Sequence, residues 1–295
     1  MKKQMMLLSS IALAFTLSGC SDASADISDG SEALVTIDGD KVTKEDVYQS
    51  LKSNIGSATL NQLKNEIYKK EGIEVSEEMQ KLADTKLKSI KDQFGDKYET
   101  QIKTYGYADD QAVMDALIMP SIYQTELQKK YVTENKDKLF DSYHPLKAQI
   151  FQATDETKAK DALKALQDGK DFKTVTKDYG TTTSYDGTEK VYTSESGLPT
   201  EVFSSMTAAT KDGLIEKVIS VTSTNSSDGS SSVTYYIVKL TNIDPTKYEE
   251  DAIQAIAETT KIATEATKFY FKKYDMTIYD IDAYNSSSLK DYIVQ

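Results

Sequence analysis

The hydrophobic pattern of this chain changes twice, and these changes constrain its fold more than any other feature. From Lys44 to about residue 142, apolar residues recur at helical spacing. The helical pattern stops at His144-Pro145, because the residue before a proline disfavours the helical conformation. A helical pattern returns over residues 247–273, after Asp244-Pro245. The sequence therefore predicts an α+β fold in which a helical lobe is followed by a mixed module and then by a further helix.

The middle module combines short strands with short helices over roughly 100 residues, which is a common domain size. Residues 147–152 alternate as a strand, and Thr154 is placed to cap the helix that follows. After a second helix and a polar loop, Pro199 opens a short helix that runs through Met206. The remaining strands are predicted at 214–221 and 233–241.

The first residues have the layout of a secretory signal. Lys2 and Lys3 precede an apolar block over 5–17, and the block is too short to span a bilayer, which takes about 20 apolar residues. It ends in Leu17-Ser18-Gly19-Cys20, which resembles the bacterial lipobox, where cleavage before the cysteine leaves a lipid on that residue. We therefore expect a signal peptide over 1–19, lipidation at Cys20 and a flexible spacer over 20–32. A stray thiol beside an ordinary cleavage site is the alternative.

Composition excludes several kinds of chemistry. Cys20 is the only cysteine, so once it carries lipid the chain has no thiol for disulfides, thiolate catalysis or metal binding. His144 is the only histidine, which leaves a hydrolase triad without its base and predicts no metal site and no cofactor. The formal net charge is −12, and it falls by a further two without Lys2 and Lys3. Such an acidic chain is not expected to bind nucleic acid.

The order of the segments carries a family resemblance. The sequence "AKDALKALQDGKDFKTVTKDYG", a polar loop, "GLPTEVFSSM", "KDGLIEKVIS" and "YYIVKL" together resemble the parvulin-type peptidyl-prolyl isomerase domain. With "VTIDGDKVTKEDVYQSLK" and the lipobox before them, the whole chain resembles PrsA-type foldase lipoproteins of Gram-positive bacteria. The resemblance implies a helical chaperone-like lobe over 33–142, an inserted parvulin-like α+β domain over 143–243, and a C-terminal helix and tail over 244–295 that pack on the first lobe.

The resemblance also implies where an isomerase site would lie. Active parvulins have one histidine in the first strand and one in the last, and here these positions fall on Gln149 and Tyr236. Val202 and Met206 lie where an apolar proline slot would be, although their helical spacing is equally typical of core residues. Asp186 and Glu189 are candidates for the acidic position of the family's network, or are simply solvated loop charges.

From these residues we expect a membrane-anchored, extracytoplasmic foldase whose parvulin-like domain has lost or weakened its isomerase activity. Its partners would be unfolded exported polypeptides and, through the lipid on Cys20, the outer face of the cell membrane. An active prolyl isomerase is the alternative function. A solute-binding or adhesive lipoprotein is disfavoured, since the chain lacks two similar α/β lobes. The sequence leaves open whether the protein forms a homodimer.

Overall fold

The computed structural model describes residues 28–52, 55–153, 155–181, 184–224, 229–279, 284–285 and 292. These form two compact units. One unit contains the described residues up to Ile67 and from Lys268 onward, and the other runs from Tyr68 to Thr267. Cys20 and the predicted signal and lipobox lie outside the described residues.

The first unit opens with a β-hairpin. Strands β1 (Ala33–Ile37) and β2 (Asp40–Thr43) pair in antiparallel fashion around the turn Asp38-Gly39. Both turn residues have positive φ, 48° and 88°, which a two-residue hairpin turn of this hand requires and which Asp-Gly tolerates. Helix α1 (Lys44–Lys52) follows at once. Its capping residue is Thr43, since Thr43 Oγ1 accepts from Asp46 N at 3.1 Å while Asp46 Oδ2 accepts from Thr43 N at 2.8 Å.

A series of helices continues from the first unit into the second, in agreement with the predicted helical lobe. They are α2 (Ile55–Lys70), α3 (Glu77–Phe94), α4 (Tyr98–Thr104), α5 (Asp110–Val113), α6 (Met119–Glu134) and α7 (Lys136–Tyr143). The chain leaves the first of these helices at Gly72, where φ is 66°, and passes Gly106 with a φ of 85°. Glycine adopts this left-handed conformation without strain, which is why it ends helices so often.

Helices α5 and α6 are separate, although helical spacing of apolar residues continues across both of them. A five-residue π-helical segment, Met114–Ile118, separates them, and Met119 N donates to Met114 O. Pro120 explains the change, because proline has no N–H to donate to the carbonyl four residues earlier and its ring would clash with that carbonyl. The wider turn keeps Met114 and Ile118 buried in the same core as Met119.

The middle of the second unit is an antiparallel sheet with short helices on both faces. The strand order is β4 (Lys190–Tyr192), β3 (Leu146–Ala153), β7 (Ser231–Asn242), β5 (Gly213–Leu214), and β6 (Ile219–Thr224) also pairs with β7. Helices α8 (Glu156–Gln167), α9 (Phe172–Tyr179) and α10 (Thr200–Thr207) lie between the strands along the chain. The predicted strand 214–221 is therefore two strands.

Helix α8 is capped by a residue other than the one predicted. Asp155 Oδ1 accepts from Lys158 N at 3.0 Å, which makes Asp155 its N-cap. The residue that the pattern favoured, Thr154, lies outside the described residues.

The last helices return to the helical part of the second unit. The predicted helix over 247–273 is divided into a short 3₁₀ turn (Pro245–Tyr248), α11 (Glu249–Ala257) and α12 (Thr260–Lys273). Ile256 and Ile262 are buried with Val132 and Leu139, so that residues more than 100 positions apart share one core. Beyond α12, no strand is assigned in the described part of the tail.

A polar cluster lies where the chain passes from the helices into the sheet and where it returns from the sheet to the helices. Lys147 Nζ lies 2.8 Å from Asp251 Oδ2 and 3.5 Å from Glu189 Oε1. The same ammonium lies 5.6 Å from the ring centre of Tyr248, whose hydroxyl donates to Pro145 O at 2.8 Å. The start of β3 and the start of α11 are thereby held together.

Candidate functional site

The two faces of the sheet pack against different helices, and strand alternation decides which residues meet. One face carries Ile150 and Val238, which are buried with Val202 and Met206 of α10. The opposite face carries Phe151 and Ile237, which are buried against α8 and α9. A residue of β3 or β7 therefore reaches the α10 face or the α8–α9 face according to its position in the alternation.

Tyr236, the predicted last-strand site residue, lies on the α10 face. It is buried, and its ring makes an edge-on contact with Tyr185 at 5.6 Å between centroids. Burial raises the pKa of the Tyr236 hydroxyl, and the neighbouring Tyr185 raises it further. Tyr192 is buried in the same cluster, where burial is the main cause that raises its pKa to about 12. These phenols stay neutral at physiological pH and cannot serve as bases.

Gln149, the predicted first-strand site residue, does not share that face. Its register partner is Lys239, whereas Tyr236 pairs with Gln152. The Gln149 side chain donates from Nε2 to Gly187 O at 3.0 Å. The next residue, Ile150, is the one buried in the cluster with Tyr236. Gln149 and Tyr236 therefore lie on opposite faces of the sheet, and Ile150 is the neighbour that shares the face of Tyr236, because one step along a strand changes the face.

The predicted apolar slot is filled. Val202 and Met206 are both 0% exposed and belong to the core between α10 and the sheet. They are therefore core residues here, which is the alternative that their helical spacing had left open. Cavities of about 640 and 450 Å³ beside the sheet are lined by other residues, the first by α9 with Asp186 and the second by Ser205, the segment 208–217 and Leu240.

The loop that carries Tyr185 is pinned to the edge of β3. Gly187 N donates to Ile150 O at 3.0 Å, and Asp186 forms an isolated bridge with Phe151. Gly187 has a φ of 75°, and a Cβ built on it would overlap the hydroxyl of the buried Thr176. Glycine is required there on both grounds. Nothing in the sequence indicates the role of this loop directly, although its Asp-Gly pair marks a turn.

The two acidic candidates have structural partners. Asp186 accepts from Thr188 N at 3.0 Å, and this hydrogen bond is the main cause that lowers the pKa of the carboxyl. Glu189 is the weaker ion-pair partner of Lys147. Neither arrangement resembles an acid or a base held against Tyr236.

His144, the only histidine, lies at the end of α7 in the left-handed conformation, with φ 43°. Its backbone N donates to Phe140 O at 2.9 Å, so it acts as the C-cap of that helix. Its side chain is exposed. Within the described ranges, no group of three or more His, Cys, Asp or Glu residues is arranged to hold a metal ion.

The helices of the second unit and the loops between them expose several large apolar side chains. These are Val75, Leu82, Phe94, Tyr105 and Leu117. Leu117 is 52% exposed within the π-helical segment, and Tyr105 is 67% exposed beyond α4. Three methionines, Met79, Met114 and Met119, are buried in the core beneath. Methionine adapts its shape more easily than branched side chains, so this core tolerates small rearrangements. None of the described helices is both long and apolar enough to cross a bilayer.

Comparisons with known proteins point to one group. The foldase protein PrsA of Enterococcus faecalis is 30% identical over 283 residues, which cover 90% of this chain and 78% of the relative. The foldase protein PrsA of Lactococcus lactis is also 30% identical, over 89% of this chain and 86% of the relative.

The chain is also similar to a solved structure. The crystal structure of the foldase protein PrsA from Streptococcus pneumoniae matches with a TM-score of 0.50 and 25% identity, over 88% of this chain and 99% of that chain. No protein-family model matches the sequence.

Proposed function

The chain belongs to the PrsA foldase family, and from this premise we propose that it is a membrane-anchored chaperone that helps exported proteins to fold after translocation. Its clients would be unfolded polypeptides that emerge at the outer face of the membrane. The anchor would be lipid on Cys20, since the four residues Leu17-Ser18-Gly19-Cys20 end a signal-like apolar block. Two or more acyl chains are needed for a lasting attachment, and a lipidated cysteine supplies them.

We further propose that the parvulin-like domain has little or no prolyl isomerase activity. The observation that carries this proposal is the closed face around Tyr236. Rotation about a peptide bond has a barrier of about 18–20 kcal/mol, and a catalyst must favour the twisted amide over the planar one. Here Ile150 and Tyr236 occupy a buried cluster with α10, and both residues that would form the apolar slot are 0% exposed.

Client binding is assigned to the helical lobe rather than to the sheet. The exposed apolar side chains of its helices offer an unfolded chain contacts of the kind it would otherwise bury in its own core. We retain the boundaries 33–142 for this lobe, 143–243 for the parvulin-like domain and 244–295 for the returning C-terminal segment. A shallow surface of this kind, above a methionine-containing core, suits clients of many sequences.

Two assays on the soluble chain that begins after Cys20 test the proposal. In a protease-coupled assay with a prolyl tetrapeptide, we expect a rate no higher than that of the heat-denatured protein. In an aggregation assay with an unfolded, proline-free client, we expect suppression that Leu117→Ser with Tyr105→Ser weakens.

The matched control is Tyr279→Ser, which removes a 62% exposed ring in the other unit. An isomerase rate well above the denatured control would instead favour an active enzyme. Absence of any effect on aggregation would contradict the chaperone assignment.

A further inference from the structure

The hairpin of the first unit presents an apolar face to solvent. Val35 and Ile37 alternate along β1 and so lie on one face, and Val42 of β2 is the register partner of Val35. Their exposed fractions are 60%, 72% and 43%. The residue between the first two, Thr36, lies on the opposite face beside its partner Lys41.

An apolar hairpin face of this kind is costly to leave in water. A two-stranded hairpin is marginally stable without a packing partner. Hydrophobic residues gathered on one exposed face usually mark a surface that contacts something else. The leading possibilities are lipid, a second copy of the chain and a client.

The position of the hairpin in the chain favours lipid. Only 12 residues lie between Cys20 and Ala33. Even a fully extended segment of this length reaches only about 45 Å. If Cys20 is held in the bilayer, the hairpin is confined close to the membrane surface at a high effective concentration.

We propose that the face formed by Val35, Ile37 and Val42 rests in the interface of the lipid bilayer. The proposal rests on the anchoring at Cys20 proposed above. Three apolar side chains would bind a membrane weakly on their own, and the tether converts this weak affinity into a lasting contact. The hairpin would then act as a second, shallow point of attachment beside the lipid.

The charges around the face show which lipids it would prefer. Asp38 lies in the turn, Asp40 is the register partner of Ile37 and so lies beside it on the same face, and Glu32 is paired with Lys44. Lys41 is the remaining cation on the two strands. Since acidic side chains outnumber basic ones here, attraction to anionic lipid does not drive the contact. The contact should therefore be at least as strong on zwitterionic phosphatidylcholine as on phosphatidylglycerol.

The chain contains no tryptophan and a single cysteine, which allows a direct test. The mature chain beginning at Cys20 is coupled through that thiol to a maleimide lipid in phosphatidylcholine vesicles. In the variant Ile37→Trp, we expect emission to move to shorter wavelength and to be quenched by brominated acyl chains. The matched control is Thr36→Trp, one residue away on the other face, whose emission should remain that of a ring in water.

Each other outcome would overturn the proposal. Unchanged Ile37→Trp emission on vesicles would show that the face does not contact lipid. A shift without vesicles that grows with protein concentration would assign the face to a second copy, and a shift on adding unfolded client would assign it to the client. Equal shifts at both positions would indicate non-specific adsorption. Because the tether is imposed chemically, none of these results depends on lipidation in the cell or on the aggregation assay.

Discussion

At the scale of single residues, Gly187 is a position where the structure requires glycine. It combines a left-handed φ with a close approach to Thr176, and its backbone holds the Tyr185 loop to β3. We predict that Gly187→Ala lowers the free energy of unfolding by about 2 kcal/mol or more, since strain and overlap add. Urea unfolding measures it. Gly197→Ala is the control, because Gly197 also has a positive φ, 69°, but open space around it; an equal loss in both variants would disprove the steric argument.

The residue scale is also where reasoning from sequence reached its limit. Thr43 as a cap and Asp38-Gly39 as a turn can be read directly from the sequence, because short-range hydrogen bonds and backbone preference decide them. The sequence did not show that Gln149 and Tyr236 lie on opposite faces of the sheet, because a shift of one residue in a strand reverses every side chain. Local pattern does not fix that register, whereas pairing with β7 does.

At the scale of elements, α3, α4 and α5 are joined by a polar network that titrates. Asp110 pairs with Lys91 and accepts from the Tyr98 hydroxyl at 2.9 Å, and the hydrogen bond from Lys91 is the main cause that lowers the pKa of the Asp110 carboxyl. Because the pKa of the Asp110 carboxyl is lower in the folded protein than its ordinary value of 3.8, the ionised carboxylate stabilises the fold at pH values above 3.8. This contribution is lost as the pH falls through the pKa of the folded state. We predict that Asp110→Asn flattens the decline in melting temperature between about pH 4 and pH 2.

The control for this network removes a carboxylate of the adjoining 3₁₀ turn, Asp96→Asn. Calorimetry of both variants and the parent across the same pH range gives the comparison. A decline as steep in Asp110→Asn as in the parent would show that the network contributes nothing to acid sensitivity.

Elements differ in how far sequence predicted them. The helices and the positions of β3 and β7 along the chain follow from periodicity and from glycine and proline positions. The order of the strands in the sheet was not predicted. The π-helical segment at Met114–Ile118 and the division of the last helix after Ala257 were not predicted. Pro120 is a local signal that could have marked the first. The second depends on how the helix packs against its neighbours in the core, which local propensity does not record.

At the scale of the whole second unit, Lys147 connects the sheet to the returning helices. Its ammonium has two carboxylate partners and one ring partner. We predict a coupling of about 0.5–1 kcal/mol between Lys147 and Asp251, because their charges are partly exposed and screened. A double-mutant cycle with Lys147→Ala and Asp251→Ala in urea measures it. The matched comparison is the pair Lys136–Glu249, 2.9 Å apart, whose carboxylate lies on the same helix as Asp251. Strict additivity of the two changes would refute the coupling.

The pairing of β3 with β7 has a consequence for the order in which the second unit folds. Lys147 and Asn242 are register partners, so the folded sheet brings its own two ends side by side. Closing a loop of about 100 residues costs about 4 kcal/mol in chain entropy. Once the sheet has formed, this chain entropy has already been lost, so that bringing Val132 and Ile256 into their shared core costs much less. We expect pulsed hydrogen exchange to show protection in β3 and β7 before α11. The sheet would then form first and allow the helices that precede and follow it in the chain to pack together.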